Sequence, residues 1–481
     1  MIAPAILLEP RQWAETTFGM AQLGDPRRVR RAVAIAEAMA REPGASLPTQ
    51  LHDPAALEAT YRFVHSQVSY EALLQPHLQH TRHEMGQEER VLLIQDTTEV
   101  DYQHHPSTTG LGPIGNGSHH GFLLQSMLAV VPESRQVLGL AHQEPFLRKP
   151  APPGETKWQR AQRAQRESQV WERSVRTIGR PPAGTQWIPV GDRASDMFPF
   201  LRACVEEGCD FVVRASADRC VDLLVEQADT PGAPRSHHKA SAAHPAAQHL
   251  FEVAVGWQVQ DERDLNLDAT KTSPARTAHV AISFGTLRLL PPQSQEKTDL
   301  RPLVVSVVRV WEVAPPDGIE PLAWLLLTSV LTRVVAHAWE RVEWYRARWL
   351  VEDLHQGLKT GCQIEQRHIQ DYEGLRTLLG VLAPLAVRLL QLRAAARQEP
   401  NLPASQILPA DVVEVVAYLD QRDAQTMTSQ QCWYAIARYG GYLGRKHDGP
   451  PGWKTLWRGW LHVQAVLEGV RLASHLPRLN L

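Results

Sequence analysis

Tyr345, Arg348, Glu352 and Lys359 lie within WYRARWLVEDLHQGLKTG, spaced Y-x2-R-x3-E-x6-K. On a helix turning about 100° per residue, Arg348, Glu352 and Lys359 fall roughly −60°, −20° and −40° from Tyr345. One narrow stripe then carries a phenol, a guanidinium, a carboxylate and an ammonium. Ala347, Leu350, Val351, Leu354 and Leu358 fall on the other side, so the pattern is that of an amphipathic helix with a buried apolar face. Its polar face suits a phosphate backbone and a metal ion. Taken alone, it is more often a solvated face with an Arg348–Glu352 i,i+4 pair, because charged helix faces are common.

Two upstream aspartates move that balance. Val91–Ile94 is an unbroken apolar run ending in Gln95-Asp96, the signature of a buried strand delivering Asp96 at its end. TQWIPVGD repeats the pattern and ends in Asp192. A strand-end Asp by itself is more often a turn or cap residue. Together with Glu352, however, three hard carboxylates suit two Mg2+ ions. Two metals about 3.5–4 Å apart can activate a water or a 3′-hydroxyl for in-line phosphodiester displacement.

The elements that must hold these groups are readable along the chain. Its 481 residues, 43% hydrophobic and 21% charged, describe an ordinary globular protein of two to four domains. No apolar run is expected to span a bilayer and no signal peptide is expected, which points to the cytoplasm. Five scattered cysteines predict reduced thiols and no zinc site. The His pairs at 104–105, 119–120 and 237–238 read as loop residues.

Net charge is only −2, but Arg148 to Arg180 holds nine Lys or Arg against three Glu, and LGDPRRVRRA adds Arg27, Arg28, Arg30 and Arg31. Such local basic patches are what phosphate binding needs. Asp25-Pro26 opens a helix, and LEATYRFVHS, with Tyr61 and Arg62, forms another. The first seventy-odd residues thus read as a helical DNA-binding module. GLGPIGNGSHHG predicts a hairpin loop, GFLLQSMLAVV and QVLGLAHQ strands, and DMFPFLRACVEEG a helix capped by Ser195. DFVVRAS, LFEVAVGW, HVAISFGTLRLL and LVVSVVRVWEV predict strands of a β-rich insertion, interrupted by the Pro/Ala/His-rich loop TPGAPRSHHKASAAHPAAQ. PLAWLLLTSV returns to a core strand. The element order is that of an α/β layer fold. Near the C-terminus, Trp453, Leu456, Trp457, Trp460, Val463, Leu467 and Val470 recur at helical spacing, a stripe that is usually core.

With LGDPRR, TYRF, IQDTTEVDY, GDRASD, PLAWLLLTS, the full Y-R-E-K spacing and GGYLGRKHDGPPGWKTLWRGW in place, the sequence resembles the bacterial DDE cut-and-paste transposases of the insertion-sequence-four family, closest to the transposon-five type. The resemblance implies a ribonuclease-H-like catalytic core, a mixed sheet flanked by helices, over 76–375 with a β-rich insertion at about 209–318. It also implies all-α domains at 1–75 for DNA-end binding and at 376–481 for dimerisation. Asp96 would bridge two Mg2+ ions (Mn2+ able to substitute), with Asp192 and Glu352 each completing one shell. Cleavage at terminal inverted repeats, a DNA hairpin intermediate and strand transfer of the 3′-OH into target DNA would follow in a synaptic homodimer. Tyr345, Arg348 and Lys359 would grip phosphates, Trp324 would stack a flipped base with Trp349 close to that site, and Arg214 and Lys446 would add DNA contacts. For Trp324, core packing is the competing role. Two rival readings of the chain are an inactive DNA-binding descendant and a plain nuclease on the same core.

Overall fold

The computed structural model describes residues 8–149, 152, 154–156, 159, 166–223, 248–267, 276–292, 301–397, 400–445 and 448–475. Lys446, His237, His238 and all but the last residue of the Pro/Ala/His-rich loop lie outside them. The chain divides into two compact units. The first comprises Met1–Glu88, Asp96–Gln159 and Trp349–Leu481; the second comprises Glu89–Gln95 and Arg160–Arg348.

The first unit begins with helices α1 (Pro10–Phe18), α2 (Pro26–Arg41), α3 (Leu47–Leu51), α4 (Pro54–Val64) and α5 (Tyr70–Met85). The first four each carry proline in the opening turn, where its missing N–H costs nothing. Asp25, Ser46, Asp53 and Ser69 accept orphan N–H groups at the starts of α2 to α5. β1 (Arg90–Asp101) begins in the other unit and ends in this one, beside β3 (His119–Val130). β2 (Gly112–Ile114) and β4 (Val137–Phe146) pair antiparallel with β3. The β2–β3 connection is the expected hairpin, turned by Gly115 and Gly117 at φ of 58° and 94°.

In the second unit, Arg90–Ile94 of β1 pair in parallel with β5 (Gln186–Gly191), which pairs in parallel with β6 (Val212–Arg214). Antiparallel strands β12 (Ala323–Thr328), β11 (Leu303–Glu312), β10 (Arg276–Leu289), β7 (Cys220–Leu223) and β8 (Gln248–His249) continue the order. β9 (Asp261–Leu267) pairs with β10. The chain between β6 and β12 therefore extends the same mixed sheet, since β11 registers directly on β12. Helices α6 (Val170–Ile178) and α7 (Phe198–Glu206) bury apolar faces in this unit. Ser195 does not cap α7. It lies in a 3-10 turn whose cap is Asp192, and Met197 precedes the helix.

LFEVAVGW is also not a strand. Leu250–Val255 form helix α8, with Leu250 and Ala254 buried and Phe251 and Val255 exposed. Short apolar runs fit either period, and here the i,i+4 spacing wins.

The signature run departs from one uninterrupted helix. α9 (Val335–Arg346) ends at Ala347, and α10 (Trp349–Gln356) starts after an Arg348 N–H bond to the Tyr345 carbonyl, one residue tighter than α-helical. Gly357–Gly361 then form a π-turn, with Cys362 N–H bonded to the Gly357 carbonyl. The helical phase therefore does not carry through to Lys359.

α11 (Tyr372–Ala395) is long and apolar enough by composition to cross a bilayer, against the expectation that no run reaches that length. In this fold it is a core helix, buried along most of its length. It also runs unbroken through residues 375–376, the expected junction of the catalytic and C-terminal domains.

α12 (Ala410–Leu419), α13 (Ser429–Tyr439) and α14 (Trp453–His475) follow. The aromatic stripe of α14 is mostly core: Leu456, Trp457, Trp460, Val463 and Leu467 are buried, whereas Val470 is exposed. Gly440 and Gly459 let α13 and α14 approach, because a Cβ on Gly459 would overlap the Ile436 carbonyl. Gly459→Ala should therefore destabilise the first unit by about 1–3 kcal/mol, read as a lower urea midpoint at unchanged slope.

Candidate active site

The β1–β5 ladder of the second unit ends two residues before each of two carboxylates in the chain. Its last pair is Ile94↔Val190. Asp96 stands two residues beyond Ile94, and Asp192 two residues beyond Val190. Val91 to Ile94, Ile188 and Val190 are wholly buried, and the charges appear where burial ends. Asp96 Oδ1 accepts the Thr97 N–H at 2.8 Å, and Thr97 hydrogen-bonds to Gln125 of β3. Asp192 Oδ1 accepts the Ala194 N–H at 2.8 Å, while Ser195 Oγ donates to its carbonyl at 2.7 Å.

Glu352 lies in the first turn of α10, half-buried, in the same unit as Asp96. Within that unit α10 packs on β3. The end of β1 is tied to the turn that follows Lys359. Asp101 N–H donates to Glu365 Oε1 at 3.1 Å, the Tyr102 hydroxyl donates to the Ile364 carbonyl, and Lys359 Nζ lies 3.2 Å from the same Glu365 oxygen. Asp96, Glu352 and Lys359 thus share one scaffold. Among the described residues, no three His, Cys, Asp or Glu side chains form a ready-made metal cage.

Asp192, Arg214, Trp324, Tyr345 and Arg348 belong to the second unit. Trp324 and Tyr345 meet edge to face, their ring centroids 5.2 Å apart. Tyr345 and Arg348 are buried rather than solvated, at 5% and 8% exposure, whereas Trp349 is half exposed. Arg214 Nη2 donates to the Ala323 carbonyl at 2.9 Å. α9 is anchored to β1 through Arg90, which bonds Glu340 at 3.0 Å and lies over the Trp344 ring.

On α2, Arg27 and Arg30 are exposed and Arg28 and Arg31 half-buried, opposite a buried face of Ala32, Ile35, Ala36 and Met39. Arg28 Nη1 donates to the Leu23 carbonyl. Tyr61 is half-buried, and Arg62 is exposed 3.8 Å from Glu58.

Two supporting acids escaped the sequence reading. Asp196, the second acid of GDRASD, is buried and accepts N–H bonds from Ser216 and Ala217 and from Arg219 at 2.6 Å. Glu365 is the partner of Lys359. The motif could have flagged Asp196, but nothing in local spacing links residue 365 to 101.

The ends of the chain match two family models. Residues 10–68 match "Transposase DNA-binding" and residues 384–478 match "Transposase Tn5 dimerisation domain". Both matches are to transposase domains, and they support a Tn5-like transposase of the insertion-sequence-four family. A solved structure, the cryo-EM synaptic complex of piggyBac transposase with hairpin DNA, is similar at 10% identity and TM-score 0.33, over 100% of this chain and 81% of that one. So slight a likeness bears on neither fold nor mechanism.

His355, one turn beyond Glu352, is fully enclosed, and burial lowers its pKa from 6.5 to about 3. Its Nε2 has no hydrogen-bond partner among the described residues. The folded state therefore keeps it neutral while the unfolded chain takes up a proton below pH 6.5. The resulting stability is present above pH 6.5 and drains away as pH falls toward 3. At pH 5 the loss relative to pH 8 is about 2 kcal/mol. His355→Leu should flatten urea stability between pH 8 and pH 5 by about that amount.

Proposed function

We propose that the chain is a Mg2+-dependent DDE transposase that cuts its element's ends through a hairpin intermediate and joins the freed 3′-OH to target DNA. The observation carrying this reading is the offset of Asp96 and Asp192, each two residues past the last rung shared by adjacent parallel strands. The parallel β1, β5 and β6, continued by antiparallel β12, support a ribonuclease-H-like core. Carboxylate oxygens are the donors a hard cation selects, so Asp96, Asp192 and Glu352 would hold two Mg2+ ions, or Mn2+ in their place. When bound, the ions would activate the attacking oxygen and offset charge at the phosphodiester.

The chain's own residues position the strand. Arg348, Tyr345 and Lys359 would bind phosphates beside the scissile bond. Lys359 would carry Glu365 as a second partner. Trp324, half-buried against Tyr345, and the exposed Trp349 would receive an unstacked base, a contact of about 1–3 kcal/mol. Arg27, Arg28, Arg30, Arg31, Tyr61 and Arg62 would hold the terminal repeat, with Arg214 adding a backbone contact. The dimerisation match supports a homodimer holding two ends, acting at the nucleoid in the cytoplasm.

Glu352→Ala and Asp192→Asn should each lower Mg2+-dependent cleavage of an end-containing duplex by on the order of a thousandfold or more, with gel-shift affinity for that duplex unchanged. Wild-type-like nicking by either variant defeats the metal assignment. Hydrolysis without hairpin or strand-transfer products would favour a plain nuclease. Arg30→Ala should weaken end binding and reduce the slope of log affinity against log salt by about one.

A further inference from the structure

The helix that carries Glu352, α10, spans only Trp349–Gln356. A tightened turn precedes it and the π-turn Gly357–Gly361 follows, so neither neighbour extends its axis. Two turns of helix have little rigidity of their own, and contacts from outside must set how the helix is rotated. Val351 and Leu354 are wholly buried. Such apolar contacts hold the helix down, but they are non-directional.

The directional tie is an ion pair to α11. Arg393 Nη1 donates to Asp353 Oδ1 at 2.6 Å, and the two side chains are only 18% and 26% exposed. Arg393 stands in the last turn of α11, where the helix dipole favours a cation. Ala386 and Leu389 lie on the same face of α11, at helical spacing from it. A Cβ on Gly357 would stand 3.8 Å from the Ala386 carbonyl, and one on Gly361 3.3 Å from Leu389 Cδ1. The seam that joins α10 and its π-turn to α11 therefore includes the Asp353–Arg393 pair. Arg367 is a contrast, since it meets only neutral acceptors: Nε and Nη2 donate to the Cys362 carbonyl, Nη2 also to Pro43, and Nη1 to Ala45 and to Gln50 Oε1. Consecutive helix residues point about 100° apart. With Asp353 held on the α11 seam, Glu352 is turned away from it. The two adjacent carboxylates are equally hard donors, so their chemistry alone does not choose between them.

We propose that Arg393 is a positioning residue that captures Asp353, fixes the rotation of α10 and makes Glu352 the carboxylate this helix presents to a divalent cation. The inference rests on the metal role proposed for Glu352. Its test uses the full chain on an end-containing duplex. Mn2+ affinity is read from the electron paramagnetic resonance of the free ion, and the Mg2+ midpoint of cleavage from gels. Arg393→Met keeps the aliphatic stem and removes the charge. It should weaken Mn2+ binding and raise the Mg2+ midpoint by about tenfold or more, with gel-shift affinity for the duplex retained. Arg393→Lys puts a cation back opposite Asp353 and should recover most of that loss. Asp353→Asn breaks the ion pair at a part-exposed position, and should move both readouts in the same direction even where Arg393→Met fails to fold. Wild-type Mn2+ affinity and Mg2+ midpoint in Asp353→Asn overturn the inference. So does reduced cleavage at an unchanged midpoint in Arg393→Met, the mark of a merely structural role. Glu352→Ala separates the two readings: undiminished Mn2+ binding in that variant would sink the metal role itself.

Discussion

The parallel pairing of β1 on β5 is the constraint on which the sheet of the second unit is built. Val91, Leu92, Leu93 and Ile94 on one strand, and Trp187, Ile188 and Val190 on the other, are completely buried. Burying each such side chain is worth about 1.5–3 kcal/mol, so this ladder has little freedom to slip. A carboxylate inside it would be desolvated without compensation, so acids are tolerated only past its end. Asp96 and Asp192 each follow the last paired residue of their strand by two positions, where the wholly buried apolar run has ended.

The strands that build this part were legible because burial on both faces leaves an unbroken apolar run, as in VLLI and WIPV. Capped helices such as α2 were legible for a similar local reason, Asp25 and Pro26 marking the start. The break between α9 and α10 was not. Ala347, Leu350, Val351, Leu354 and Leu358 fit an uninterrupted amphipathic helix, and nothing in that spacing announces the tightened turn at Arg348 or the π-turn at Gly357. LFEVAVGW failed because a short apolar run has no decisive period. The stripe on α14 was legible as core through Leu467; only its far end, at Val470, remains exposed.

Burial also changes what the polar residues of the signature can do. A solvated face would give Tyr345 and Arg348 high exposure and weak, screened interactions. Both are instead nearly enclosed, with Tyr345 braced against Trp324. In the proposed role, a guanidinium in such surroundings would meet a phosphate more strongly than one in bulk water. Lys359 is the contrasting case, since its ammonium is half-exposed and shared with Glu365. With three donors on a flexible stem it can keep that contact while reaching a second anion.

Glu365 and Arg367 show why the turn after Lys359 matters more than its sequence suggests. Within three residues, this turn holds the end of β1 through Glu365 and the segment around Pro43 to Gln50 through Arg367. Every Arg367 nitrogen is spent on a neutral acceptor, which makes it a fixed strut rather than a site. The helical region that matches a DNA-binding module and the turn that positions Lys359 are thereby parts of one hydrogen-bonded structure. Movement of either without the other would leave a buried cation with empty donors, a cost large enough to keep them together.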